Sequence, residues 1–103
     1  KTIARFDFFR MNAEGKMHPA DVGVGMPFPG ERCWGYTIVC NFSGTEETQT
    51  IRGKIQLQVL ALALQTLRKR FLAELEPAPR FFYDEEDVDP MTGETLSHCF
   101  PSL

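Results

Sequence analysis

The strongest pattern along the chain is helical and covers residues 54–75, KIQLQVLALALQTLRKRFLAEL. This stretch contains neither proline nor glycine and is rich in residues that favour helices. Its apolar side chains recur at steps of three and four, at Leu57, Leu60, Leu64, Leu67, Phe71 and Leu75, with Ile55, Val59 and Ala63 beside them. Such spacing predicts one long helix that buries a broad face.

Two other stretches alternate apolar and polar residues as half-buried strands do. In residues 3–10, Phe6 and Phe8 share one side, which we expect to face the helix. In residues 33–42, one face carries the large side chains Trp34, Tyr36, Ile38, Cys40 and Phe42. We expect the helix to pack against this face of the second strand.

Turns and weaker strands complete the predicted sheet. Residues 12–15, NAEG, supply a turn after the first strand, and Pro19 restricts the returning strand to residues 20–26. Residues 46–52 are predicted as a polar strand. Two segments are less regular, namely the proline-containing loop at 26–31 and a short strand or aromatic plug at 80–83. The predicted fold class is α+β, with an antiparallel sheet of four to five strands packed against one long α-helix.

Charge is distributed unevenly along a chain whose 103 residues fit a single domain. Residues 1–75, the predicted sheet-plus-helix core, hold ten Lys or Arg and seven Asp or Glu. Residues 76–103, a predicted acidic C-terminal extension, hold one base and seven acids. The one tight basic group, residues 68–70, lies near the predicted helix end, where cations offset the helix dipole. We therefore expect no nucleic-acid partner.

The acidic stretch at residues 84–94, DEEDVDPMTGE, raises the question of a metal ion. A calcium loop needs a glycine at its sixth position and a glutamate at its twelfth, and here Pro90 and Met91 occupy positions where ligands and the tight turn belong. The soft ligands His18, His98, Cys33, Cys40 and Cys99 have no zinc spacing and no CxxC motif. We expect no metal, no cofactor and no enzymatic activity.

The same composition bears on location. The longest apolar run, residues 59–64, is far shorter than the roughly 20 residues of a membrane span, and because the first residues lack a charged-then-apolar pattern we expect no signal peptide. Three cysteines without close spacing are consistent with reduced thiols. We therefore expect a cytoplasmic protein that does not bind membranes.

The order of these motifs resembles a family of small uncharacterised bacterial α+β domains. The resemblance rests on residues 32–38, RCWGYTI, on a polar strand ending at Gly53, and on the helix run QLQVLALAL at residues 56–64. In that family a Trp/Cys/Tyr strand is followed by a glycine and a Gln-Ala-Leu-type helix. The resemblance covers residues 3–75, with an approximate match in the helix, and implies no catalytic residues. By size and charge the chain is also similar to immunity proteins of bacterial toxin systems, which implies a role in covering a toxin.

Two functions remain open. The first is a non-catalytic protein-protein interaction domain whose acidic surface meets a cationic partner. An immunity protein or antitoxin that neutralises a basic bacterial toxin would be a domain of this kind. Its expected contact residues are Tyr83, Asp84, Glu85, Glu86, Asp87, Asp89 and Glu94. The alternative is a small-molecule-binding domain or small enzyme with a cleft between the sheet and the helix end, lined by Phe81, Phe82 and Tyr83.

Overall fold

The structure, a computed structural model, describes residues 2–75 and 80–92. It contains one helix and six strands. In chain order they are β1 (Thr2–Met11), β2 (Met17–Gly25), β3 (Phe28–Gly30), β4 (Cys33–Asn41), β5 (Glu47–Gly53), α1 (Gln56–Leu75) and β6 (Arg80–Phe82). The predicted α+β fold, one helix on an antiparallel sheet, is confirmed.

The sheet is antiparallel throughout, with the strand order β5-β4-β2-β1-β6. β3 pairs with residues 33–35 of β4, next to the part of β4 that pairs with β2. Among the described residues the sheet has six strands. β6 coincides with the short strand predicted at residues 80–83, and the additional strand is β3, which has only three residues. β3 lies within the segment that was predicted as a loop, since Pro29 and Gly30 obscure a strand signal.

The β1–β2 hairpin is closed by side-chain hydrogen bonds. Oδ1 of Asn12 accepts the backbone N–H of Glu14 at 3.0 Å and that of Lys16 at 2.9 Å, and Gly15 adopts a φ of 80°. β2 begins at Met17, three residues before the predicted start. Pro19 fits in this strand because β2 pairs with β4 only over residues 21–24, so no N–H towards β4 is needed at Pro19.

Most of the predicted stripe of α1 packs against the sheet, with Leu60, Leu64 and Leu75 partly buried against the core. Val59, Ala63, Leu67 and Phe71 are the buried residues, at steps of four. By contrast, Leu57 is 76% exposed and Ile55 is 62% exposed, so their inclusion in the buried stripe was wrong. The side of the helix that carries Val59 faces the sheet, because α1 lies close to β5 at Gly53. A Cβ atom added at Gly53 would lie 2.7 Å from Cγ2 of Val59.

Four phenylalanine rings form the centre of the core beneath the second half of α1. They are Phe8 from β1, Phe42 after β4, Phe71 from α1 and Phe81 from β6. Every pair among the four has ring centroids between 4.8 and 6.2 Å apart, in the range where aromatic packing is favourable. The predicted core face of β4 is confirmed at Tyr36, Ile38, Cys40 and Phe42, and Trp34 is half-buried.

The basic group at residues 68–70 does not cap the helix, because the last turn of α1 contains no basic residue. Arg70 instead forms an ion pair with Glu47 at the start of β5. This hydrogen bond raises the pKa of Arg70. The predicted dipole role was wrong, and the observed pair connects the helix to the edge of the sheet.

Candidate functional site

The acidic residues that follow β6 lie on a loop whose two ends are anchored in the core. This acidic loop comprises residues 83–92. Before it, Phe81 is 0% exposed and Phe82 is 1% exposed; near its end, Met91 is 4% exposed. The backbone N–H of Met91 donates to the carbonyl oxygen of Phe81 at 2.7 Å. The loop is therefore closed at its base, and its carboxylates stand on a defined scaffold.

A turn at the start of the loop organises the first four acids. The N–H of Asp87 donates to the carbonyl oxygen of Asp84 at 3.1 Å, and the N–H of Asp84 donates to Oδ2 of Asp87 at 3.0 Å. Asp87 is half-buried as a consequence, whereas Asp84, Glu85, Glu86 and Asp89 are exposed. Most of the carboxylates thus point outward, and one of them holds the turn.

Apolar surface adjoins the acidic loop. Tyr83 is 42% exposed, and its ring lies edge-on to Phe6 with centroids 5.9 Å apart. Phe6 in turn lines a groove of about 290 Å³ between the β1–β2 hairpin and the middle of α1, with Leu64 and Leu67 on the helix side. Val88, within the loop, is 88% exposed. A partner that meets the carboxylates can therefore also contact apolar side chains.

The structure places six of the seven predicted contact residues on this one loop, from Tyr83 to Asp89. Glu94 lies outside the described residues, as do His98 and Cys99. The cleft expected at the helix end does not have the predicted lining. Phe81 and Phe82 are both buried core residues, because the four-ring cluster and β6 occupy that space.

The structure has a cleft that the sequence did not predict, which we call the Arg10 cleft. It has a volume of about 470 Å³ and lies at the end of the sheet, lined by Arg10, His18, Pro19, Asn41, Phe42, Ser43 and Gly44. Arg10 and His18 meet there because they are directly opposite each other in the β1–β2 register. That register follows from the turn around residues 12–16, so pairing the residues equidistant from the turn would have brought the two together.

Two kinds of feature are not found in the described part of the chain, a cluster of metal ligands and a membrane-spanning helix. No group of three or more His, Cys, Asp or Glu residues there is arranged to hold a metal ion. Within residues 2–75 and 80–92, no helix has the length and apolar character to span a membrane. The sites that the structure offers are therefore the acidic loop with its apolar border and the cleft at Arg10.

The fold and these surfaces define the protein as a small α+β domain with one helix on an antiparallel sheet. No protein-family model, curated protein or solved structure matches the chain. Its function is inferred from the geometry of its own surfaces.

Proposed function

We propose that the protein is a non-catalytic interaction domain that binds a cationic protein partner through the acidic loop. The observation that carries this proposal is the anchoring of the loop by Phe81 and Met91. Because the N–H of Met91 bonds to the carbonyl of Phe81, the carboxylates are held in place before a partner arrives. A preorganised surface loses less conformational entropy on binding than a loose tail would.

Charge defines the kind of partner. The described residues 80–92 contain five acids and a single base, Arg80. Exposed charges of one sign steer an oppositely charged partner and raise its association rate, and they discriminate against anionic competitors. The exposed Tyr83 and Val88 provide the apolar contacts that charge alone lacks, and tyrosine is enriched at the centres of interfaces.

In its most specific form the proposal makes the chain an immunity protein that covers a basic bacterial toxin domain in the cytoplasm. Its support is the small size of the domain and the charge of the acidic loop. A gene for a large secreted toxin immediately upstream would support this form, and an isolated gene would count against it.

The test uses a lysine-rich decapeptide as the probe and follows backbone amide signals by NMR at low ionic strength. One variant neutralises exposed loop acids by Asp84→Asn, Glu85→Gln and Glu86→Gln. Asp87 is left unchanged because its carboxylate holds the turn. A matched control makes the same change in net charge on exposed residues elsewhere, by Glu14→Gln, Glu31→Gln and Glu46→Gln.

We expect the peptide to shift signals of residues 83–89 and to bind the loop variant about tenfold more weakly than the unchanged protein, since three exposed charge contacts are lost. The control variant should lose less than about twofold. Equal weakening of both variants would show that net charge, rather than this loop, attracts the peptide, and would reject the proposal.

A further inference from the structure

The Arg10 cleft has side-chain amides whose orientation is fixed by hydrogen bonds to the backbone. Asn12 uses Oδ1 to accept two backbone N–H groups, so its Nδ2 group must be the one that faces His18. The distance from Nδ2 of Asn12 to Nε2 of His18 is 2.9 Å. Since an amide NH₂ can only donate, Nε2 of His18 accepts, and the ring proton lies on Nδ1. His18 thus retains a donor for another molecule.

Asn41 is oriented in the same way on the other side of the cleft. Its Oδ1 accepts the backbone N–H of Gly44 at 2.9 Å, which leaves the amide NH₂ as its remaining polar group. Gly44 can make this turn because it adopts a φ of 89°. A second side-chain donor therefore lines the cleft with its orientation already determined.

Arg10 adds a positive charge to these neutral donors. Its Nε is buried and has no hydrogen-bond partner within the described residues. Arg10 also forms no ion pair with a described residue, so no carboxylate already neutralises the charge that it brings to the cleft. The lining residues include no Asp or Glu, so none of them would repel an anion.

We propose that this Arg10 cleft binds a small molecule through a phosphate group, with Arg10, His18 and Asn41 as donors. Arginine presents a fork of donors that matches phosphate oxygens. The cleft volume of about 470 Å³ leaves room for an organic group beside the phosphate, against Phe42 and Pro19. None of the residues that line the cleft belongs to the acidic loop, so phosphate binding here can succeed or fail independently of the interaction proposal.

The test titrates the full chain with glycerol 3-phosphate at constant ionic strength and follows the ring proton signals of His18 by NMR. Glycerol, which lacks the phosphate, serves as the parallel titration. We expect saturable shifts of the His18 signals with glycerol 3-phosphate and none with glycerol. The absence of a saturable shift with glycerol 3-phosphate, or the same shift with both compounds, would overturn the proposal.

Variants then assign the site. Arg10→Gln should weaken binding about tenfold or more, since a hydrogen bond to a charged group is lost. Arg32→Gln, which removes the same charge from an exposed turn outside the cleft, should change binding less than about twofold. Arg10→Lys, which keeps a cation at the half-buried position, provides a second variant in case Arg10→Gln does not fold. It should bind more tightly than Arg10→Gln does. Equal weakening by Arg10→Gln and Arg32→Gln would contradict the assignment.

Discussion

Cys33 and Cys40 lie on the same strand, β4, in different surroundings. Cys40 is 1% exposed and belongs to the core, whereas Cys33 is half-buried. Burial raises the pKa of the Cys40 thiol, and the nearby Arg70 guanidinium only partly opposes this effect. Because the thiolate is the reactive form, Cys40 combines a low thiolate fraction with poor access.

We therefore predict that iodoacetamide at pH 8 modifies Cys33 at least about tenfold faster than Cys40 in the folded protein. Peptide mass spectrometry at successive times gives both rates from one sample. In urea, where the core is open, the two rates should converge. Equal rates under native conditions would show that Cys40 is not enclosed as described.

At the scale of the elements, the position of α1 on the sheet distinguishes two leucines that the sequence pattern treats alike. Leu67 is 2% exposed and packs in the core, whereas Leu57 is 76% exposed. We predict that Leu67→Ala lowers the free energy of unfolding by about 2 to 5 kcal/mol, since it leaves a cavity. Leu57→Ala should change it by no more than about 0.5 kcal/mol.

Urea unfolding followed by circular dichroism measures both changes on the same helix with the same substitution. Leu57→Ala is the internal control, because it removes the same atoms and alters helix propensity equally. A cost at Leu57 that equals the cost at Leu67 would mean that Leu57 is buried with the rest of the predicted stripe, and would contradict its exposure in the structure.

The elements themselves were largely predictable because their signals are local. The alternation in residues 33–42 and the spacing in residues 54–75 each determine an element type without reference to the rest of the chain. Which end of the predicted stripe is exposed was not predictable, since Ile55 and Leu57 are as apolar as the residues that face the sheet. The choice depends on the close approach of Val59 to Gly53, which is a contact between two elements.

In the candidate sites too, local features were predictable and contacts between distant segments were not. The acids from Asp84 to Asp89 are contiguous, so their clustering was visible in the sequence. Their anchoring was not, because Met91 reads as part of a polar segment and its burial depends on a bond to Phe81. The Arg10 cleft was missed because its lining comes from three separate segments brought together by strand pairing.

In the whole molecule, the two proposed binding surfaces are formed by different residues. The four-ring core joins β1, β4, α1 and β6 around Phe71, and the acidic loop emerges from that core at Phe81. The cleft with Arg10 opens at the end of the sheet and carries positive charge. The fold thus offers an acidic surface suited to a cationic partner and a cleft suited to an anion.

Hydrogen exchange at the Met91 amide measures whether the acidic loop is a preformed surface. This amide donates to the carbonyl oxygen of Phe81 at 2.7 Å, and the Met91 side chain is buried. We predict that NMR-detected exchange of the Met91 amide is slowed at least about a hundredfold relative to an unfolded peptide. The amide of the exposed Val88 should exchange close to the unfolded rate. If the Met91 amide exchanges as fast as that of Val88, the acidic loop is not held against the core. That result would contradict a preformed binding surface.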